Sequence, residues 1–203
     1  EIIKIINLHN QQFNYRVCVD TSPIMEKHWG QKSGLGWIGK HTNLINSKIG
    51  TWFFLSEIII DFEMKYNKPF TYDLCGTCTK CIDACPTEAL DDYILDSNKC
   101  ISYLTIEHRD SIPDSSSKKL NNWIYGCDIC QEVCPWNIKY EQISDDSNFK
   151  KRNKIDIKNN EDWENISVEE YQKTFKKSPI KRTKYSGITR NILINKKNKN
   201  LES

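Results

Sequence analysis

The sequence predicts an α+β protein in three parts: a portion of an α/β domain at residues 1–72, a cysteine-rich region of short helices and loops at 73–140, and a linker with a basic helical end at 141–203. Three observations lead to this division. Two apolar, β-branched runs flank a proline-opened helix in the first part; eight of the nine cysteines crowd the second; the third joins a helix-capping pattern to an excess of lysine and arginine.

In the first part, YRVCVD at 15–20 reads as a short buried strand from its β-branched content, with Cys18 a small buried hydrophobe. Ser22-Pro23 opens a helix, since proline suits the first helical position and Glu26 is favourable near the positive end; Gly34 ends it. TWFFLSEIII at 51–60 is the strongest strand signal in the chain. Strand, helix, glycine-rich loop and strand imply a sheet that continues upstream, with its catalytic rim near Asp20. The loop SGLGWIGKHTNL, at 33–44, follows a helix and lacks the acidic residue of a dinucleotide fingerprint, and His41 interrupts any Walker A pattern. It reads either as backbone able to approach a large flat or phosphorylated ligand, or as a tight structural turn.

In the second part, Cys75, Cys78, Cys81 and Cys85 precede Pro86 with the spacing C-x2-C-x2-C-x3-C-P. In that pattern three thiolates of a tight loop hold one iron-sulfur cluster and the fourth reaches another. Cys127, Cys130 and Cys134 precede Pro135 in a second run that lacks its leading cysteine, and Cys100 stands between the runs. The expected ligand sets for two 4Fe-4S clusters are therefore crossed: Cys75, Cys78, Cys81 and Cys134 for one, Cys85, Cys100, Cys127 and Cys130 for the other. Structural zinc seldom uses a third cysteine at this short spacing and gives no reason for the cysteine-proline endings. A disulfide framework would require a small secreted domain, and no apolar leader is seen.

The third part begins with the polar stretch YEQISDDSNFKKRNK and continues with Ser167 and Glu170 in capping-box register before an amphipathic helix. A second helix is expected from Ser178-Pro179 through TRNILIN. From residue 150 onward there are 15 Lys and Arg against 7 Asp and Glu, whereas the first 149 residues carry 14 against 20. Such segregation is either a solvated face or an electrostatic footprint for phosphates. Lys177, Lys181 and Lys184 fall at helical spacing, with Ile180, Ile188 and Leu193 expected on the buried side; Lys176, Arg182 and Arg190 add to the charge. The balance of 38% hydrophobic and 28% charged residues is that of a soluble protein, and Ser56 and Glu57 break the longest apolar run, so no membrane partner is expected. The cysteine content points to a reducing compartment, the cytoplasm.

The strings VDTSPIMEKHWGQKSGLGWIGKH, TWFFLSEIIID, LCGTCTKCIDACPTEAL, CISYLTIEH, IYGCDICQEVCPWN and SPIKRTKYSGITRN resemble, in this order, the epoxyqueuosine reductase family over about residues 17–195. The resemblance implies a cobalamin-dependent oxidoreductase with two 4Fe-4S clusters, performing the final reductive step of queuosine synthesis on tRNA. It further implies that residues 1–72 are part of a cobalamin-binding domain and 73–140 a ferredoxin-like domain. By the same resemblance the chain is a fragment, lacking an N-terminal portion and a C-terminal helical-repeat domain. Asp20 falls on the family's proton-donor position, where the alternative is a strand-end aspartate capping the next helix. Asp20, Asn43, Leu44, Leu55, Ser102 and Asp128 fall where family members contact cobalamin. An external low-potential electron donor is implied, and a monomer is expected. A plain two-cluster electron-transfer module would leave Asp20, the glycine-rich loop and the basic end without a role; a reductive dehalogenase would prefer an export leader.

Overall fold

The computed structural model describes residues 2–9, 13–150 and 160–202. Helix α1 (Ile2–His9) leads into strand β1 (Tyr15–Cys18), helix α2 (Glu26–Lys32), the short strands β2 (Trp37–Ile38) and β3 (Leu44–Ile45), and β4 (Glu57–Ile60). The cysteine-rich region supplies α3 (Lys80–Asp83), β5 (Leu90–Asp91), β6 (Ile94–Leu95), α4 (Ile101–Ile106), α5 (Asp114–Ser117), α6 (Ile129–Glu132) and α7 (Pro135–Tyr140). Helices α8 (Asn160–Glu164), α9 (Val168–Thr174) and α10 (Lys184–Glu202) follow. Helix and sheet are mixed in the α+β manner. The sheets among the described residues are three antiparallel pairs, β1 with β4, β2 with β3 and β5 with β6.

The two strand signals of the first part do meet, Tyr15 opposite Ile60 and Cys18 opposite Glu57, but as an antiparallel ribbon. Its second strand is shorter than the expected 51–60, because Thr51 is captured elsewhere. Its backbone N–H donates to Asn137 Oδ1 at 2.6 Å and its hydroxyl accepts from Asn137 Nδ2 at 2.7 Å, so these polar groups are satisfied by α7 and not by a sheet ladder. Gly50, at φ +72°, permits this approach; a Cβ there would stand 2.2 Å from Asn137 Oδ1. Residues 52–56 consequently run outside any strand. The helix expected at Pro23 begins only at Glu26, since residues 19–24 are spent in tight turns in which Thr21 N–H bonds Val19 O and Ile24 N–H bonds Ser22 O.

The glycine-rich loop is the β2–β3 hairpin. A Cβ on Gly36 would fall 1.9 Å from Ile45 O, so glycine is required here by a neighbouring strand. The hairpin buries Trp37 and Ile45 with Cys134, and Phe70 and Trp136 pack around them. Burial of this kind contributes roughly 1.5–3 kcal/mol per large side chain. A second core joins Ile101 and Leu104 of α4 to Ile112 and Leu120, and a third joins Ile166, Tyr171 and Phe175 to Ile188 and Ile192 of α10.

At the basic end Ser167 caps its helix as expected, its Oγ accepting from Glu170 N–H at 3.1 Å. The following helix stops at Thr174, however, and Lys177 takes a left-handed φ of 58°. Pro179–Thr183 form a 3-10 turn capped by Ser178, and Lys184, at φ 64°, breaks the helical path where the turn meets the start of α10. Lys177, Lys181 and Lys184 therefore do not share a helical face. Ile188 is buried and Ile180 half-buried as expected, but Leu193 is 58% exposed. Arg190 is also no phosphate ligand: its guanidinium donates to the carbonyls of Leu104, His108 and Asp110. Beside it the fully buried Asn191 donates to Thr105 O and Ile124 O, so polar pins fasten α10 to the region around α4.

Candidate functional site

A cavity of about 950 Å³ forms a cleft bordered by the end of β1, the irregular run 53–55, the C-terminal end of α4 and the 3-10 turn at 179–183. Asp20 stands on its rim in a left-handed turn (φ 54°), a conformation aspartate tolerates better than most residues. One carboxylate oxygen accepts from Arg182 Nη1 at 2.9 Å, and Arg182 Nε lies 2.5 Å from Glu107 Oε1. Arg182 and Asp20 are 51% and 71% exposed, so the pair adds about 0–1 kcal/mol to stability and serves mainly to orient the carboxylate. Of the other residues singled out with Asp20, Asn43, Leu44 and Leu55 border the same cleft, whereas Ser102 and Asp128 border the cavity behind it. Sequence reasoning placed Arg182 only within the basic end; the partners are 162 positions apart and no local pattern joins them.

Two smaller cavities of about 210 Å³ each gather the cysteines. One is bordered by Cys85, Cys100, Cys127 and Cys130; the other by Cys75, Cys78, Cys81 and Cys134. Short helices bring this about: α3 follows Cys78 and includes Cys81, while α6 follows Cys127 and includes Cys130. Cys134 caps α7 with Pro135 at its first position, which explains the cysteine-proline ending in backbone terms. N–H groups already point at sulfur, Trp37 Nε1 to Cys75 at 3.4 Å and Ala89 N to Cys85 at 3.3 Å. Burial foremost, and then the neighbouring sulfurs, push the Cys81 and Cys127 thiols up to about 11 and Cys130 up to about 12. Such thiols are protonated at neutral pH and must lose a proton to bind metal. Cys18 is buried at 2% exposure, apart from both groups.

The three spaces lie in a row. Lys27, Asn43 and Gln131 border both the cleft and the Cys85 cavity, and His41 borders both cysteine cavities. In the first partition Asp128 accepts from Gln131 Nε2 at 3.0 Å, Gln131 Oε1 accepts from Thr51 Oγ1 at 2.9 Å, and Lys27 Nζ donates to Thr42 O at 2.8 Å. Burial lowers the pKa of Lys27 and holds the His41 imidazole down to about 4. Asn43 and Asp128 were marked by the family resemblance, whereas nothing local in the sequence singled out Lys27 or Gln131, whose roles arise from long-range packing.

Two ferredoxin-type cysteine sets in line with a ligand-sized cleft define an iron-sulfur redox protein. Residues 74–137 match the family described as the 4Fe-4S double cluster binding domain. The chain as a whole belongs to the epoxyqueuosine reductase family. It is 49% identical over 177 residues to the epoxyqueuosine reductase of Leadbetterella byssophila, covering 87% of this chain and 57% of that protein. It is 40% identical over 199 residues to that of Synechocystis sp., covering 95% and 68%. A solved structure of selenomethionine-labelled epoxyqueuosine reductase superposes with a TM-score of 0.86 at 26% identity, over 96% of this chain and 51% of that one. Another, an epoxyqueuosine reductase with a tRNA-Tyr epoxyqueuosine-modified stem loop, superposes with a TM-score of 0.80 at 25% identity over the same shares. Against the first curated relatives the chain spans 57%, 58% and 61% of their length. Among the described residues no helix is long and apolar enough to cross a membrane.

Proposed function

We propose that this chain supplies the chemical centre of an epoxyqueuosine reductase, which reduces epoxyqueuosine in tRNA to queuosine in the cytoplasm. The observation that carries this reading is the row itself: a cleft with an oriented carboxylate, then one complete set of four cysteines, then a second. Cys85, Cys100, Cys127 and Cys130 would hold the inner 4Fe-4S cluster, and Cys75, Cys78, Cys81 and Cys134 the outer one. The donor set fits, since each cavity is ringed by four thiols and receives an N–H directed at sulfur. The row gives electrons a path from an external low-potential donor at the outer set to the cleft.

The cleft also fits a large cofactor. At about 950 Å³ it lies at the upper end of the usual range for ligand cavities, and Leu44, Phe53, Phe54 and Leu55 give it apolar surface. Asn43, Leu44 and Leu55 would hold cobalamin beside Asp20, with Ser102 and Asp128 completing the wall behind. Bound there, cobalamin supplies the electron chemistry that breaks the epoxide C–O bond. Removing the epoxide oxygen to leave an alkene consumes two electrons and two protons and releases water. Asp20 delivers a proton to the departing oxygen, Arg182 holds the carboxyl on the rim, and the apolar cleft wall excludes water from the ring. Residues 1–72 would form the cofactor-binding part, 73–140 the two-cluster part and 141–203 the tRNA-facing part of a monomer. Ser178, Pro179 and Arg182 border the cleft mouth and Lys181 is exposed beside them, placing positive charge where tRNA phosphates would lie.

The test is anaerobic loading with iron, sulfide and cobalamin, followed by reaction with epoxyqueuosine-containing tRNA and nucleoside analysis. Queuosine is the expected product. A protein that takes up both clusters and no cobalamin would instead be an electron-transfer module.

A further inference from the structure

His41 sits in the partition between the two cysteine cavities and is 4% exposed. Its Nδ1 accepts a hydrogen bond from the backbone N–H of Asn43 at 3.2 Å. That bond fixes the tautomer, because an accepting Nδ1 carries no proton and the ring N–H must then be on Nε2. Nε2 is fully buried and has no partner; among the described residues, the other side-chain atoms in this condition are Glu57 Oε2 and Asn195 Oδ1. Neither of those residues borders a cysteine cavity. A buried donor without an acceptor is costly and uncommon in folded proteins. Both cavities that His41 borders are ringed by sulfur acceptors, toward which Trp37 and Ala89 already direct N–H groups.

We propose that His41 Nε2–H is a hydrogen-bond donor to a sulfur of one of the two iron-sulfur clusters, given from the wall between them, and that it raises that cluster's reduction potential. The inference rests on reading the cysteine cavities as cluster sites. Its sign follows from charge. A reduced cluster carries one more negative charge than the oxidised one, so an N–H aimed at its sulfur stabilises the reduced form more. His41 thereby offsets the potentials of two neighbouring clusters and biases electron flow along the row, acting as a positioning residue for the electron and not as an acid or base.

The iron-loaded protein is compared with His41→Gln, whose side-chain amide can retain a donor near Nε2, and with His41→Met, which keeps similar volume without one. Iron and sulfide analysis comes first, then redox titration followed by electron paramagnetic resonance, with a pulsed spectrum of the reduced parent protein labelled with 15N-histidine. The expected results are a histidine nitrogen coupled to one cluster in the parent, a potential shifted negative in His41→Met, and a smaller shift in His41→Gln, all at full iron content. Should His41→Met fail to load iron, the nitrogen coupling in the parent still decides. A parent protein without clusters overturns the reading of the cavities. Both clusters present, with no histidine coupling and unchanged potentials in the variants, overturns the role of His41 alone.

Discussion

At Asp20 a left-handed turn and the Arg182 guanidinium hold one carboxylate over the cleft. Asp20→Asn keeps the shape of this group but can no longer give up a proton. Turnover of epoxyqueuosine should fall by about 100- to 10,000-fold, the usual range for a lost general acid, while iron and cobalamin content stay at parental levels. Stability should change by less than about 1 kcal/mol, because the ion pair is exposed. Parental turnover across neutral pH would remove Asp20 from the chemistry. Asp20 was legible in the sequence as a strand-end aspartate and as a proton donor only through the family resemblance; Arg182 was not, since a contact across 162 positions leaves no local trace. The thiols carry a second prediction. Burial raises Cys81, Cys127 and Cys130 above the ordinary thiol value, so iron must displace protons that are still bound at neutral pH. Raising the pH from about 7 to about 9, toward the ordinary cysteine pKa, should therefore accelerate cluster assembly, as followed by visible absorbance. A rate that is flat or falling over that interval contradicts the protonated state assigned to the thiols.

The β2–β3 hairpin shows what an element contributes. It carries Trp37 and Ile45 into the core beside Cys134, and Trp37 donates to Cys75. Gly36→Ala would place a methyl 1.9 Å from Ile45 O, a backbone atom that cannot turn aside. A loss of about 3 kcal/mol in chemical denaturation is expected, in the range for overpacking. Gly126→Ala, at φ +76° with open space around it, should cost only about 1 kcal/mol from backbone strain. Equal costs would mean that the contact with Ile45 relaxes. The glycine spacing announced a special backbone; at Gly36 the close partner is Ile45 in the facing strand of the hairpin, while Asn43 and Leu44 at the end of the same loop border the cleft. The run 51–60 misled in the opposite sense. Its apolar residues lie on both sides of Ser56 and Glu57, yet Asn137, 86 residues away, takes the Thr51 N–H and the strand starts only at Glu57. Breaks at Lys177 and Lys184 were likewise hidden, because lysine gives no local signal of a left-handed backbone.

At the scale of the whole molecule, the proposed tRNA contact joins the charge segregation to the row of cavities. Lys181 is exposed on the 3-10 turn whose neighbours border the cleft, whereas Arg190 is spent on three carbonyl groups. Lys181→Ala should weaken binding of the tRNA stem loop and reduce the salt slope by roughly 0.7–0.9 for the lost phosphate contact. An unchanged affinity and slope would move the tRNA away from this turn. At this scale the sequence was most informative about the cysteines, because a ligand set is written in short spacings, and least informative about the partitions, which are built from distant residues. The measurement that bears most directly on the architecture is iron and sulfide content with electron paramagnetic resonance for the loaded parent and for Cys100→Ser. The crossed sets predict about eight irons per chain in the parent and about four in the variant, with loss of the signal from the cluster held by Cys85, Cys127 and Cys130. A Cys100→Ser protein that retains the parental iron content and both signals would contradict the assignment of the inner set.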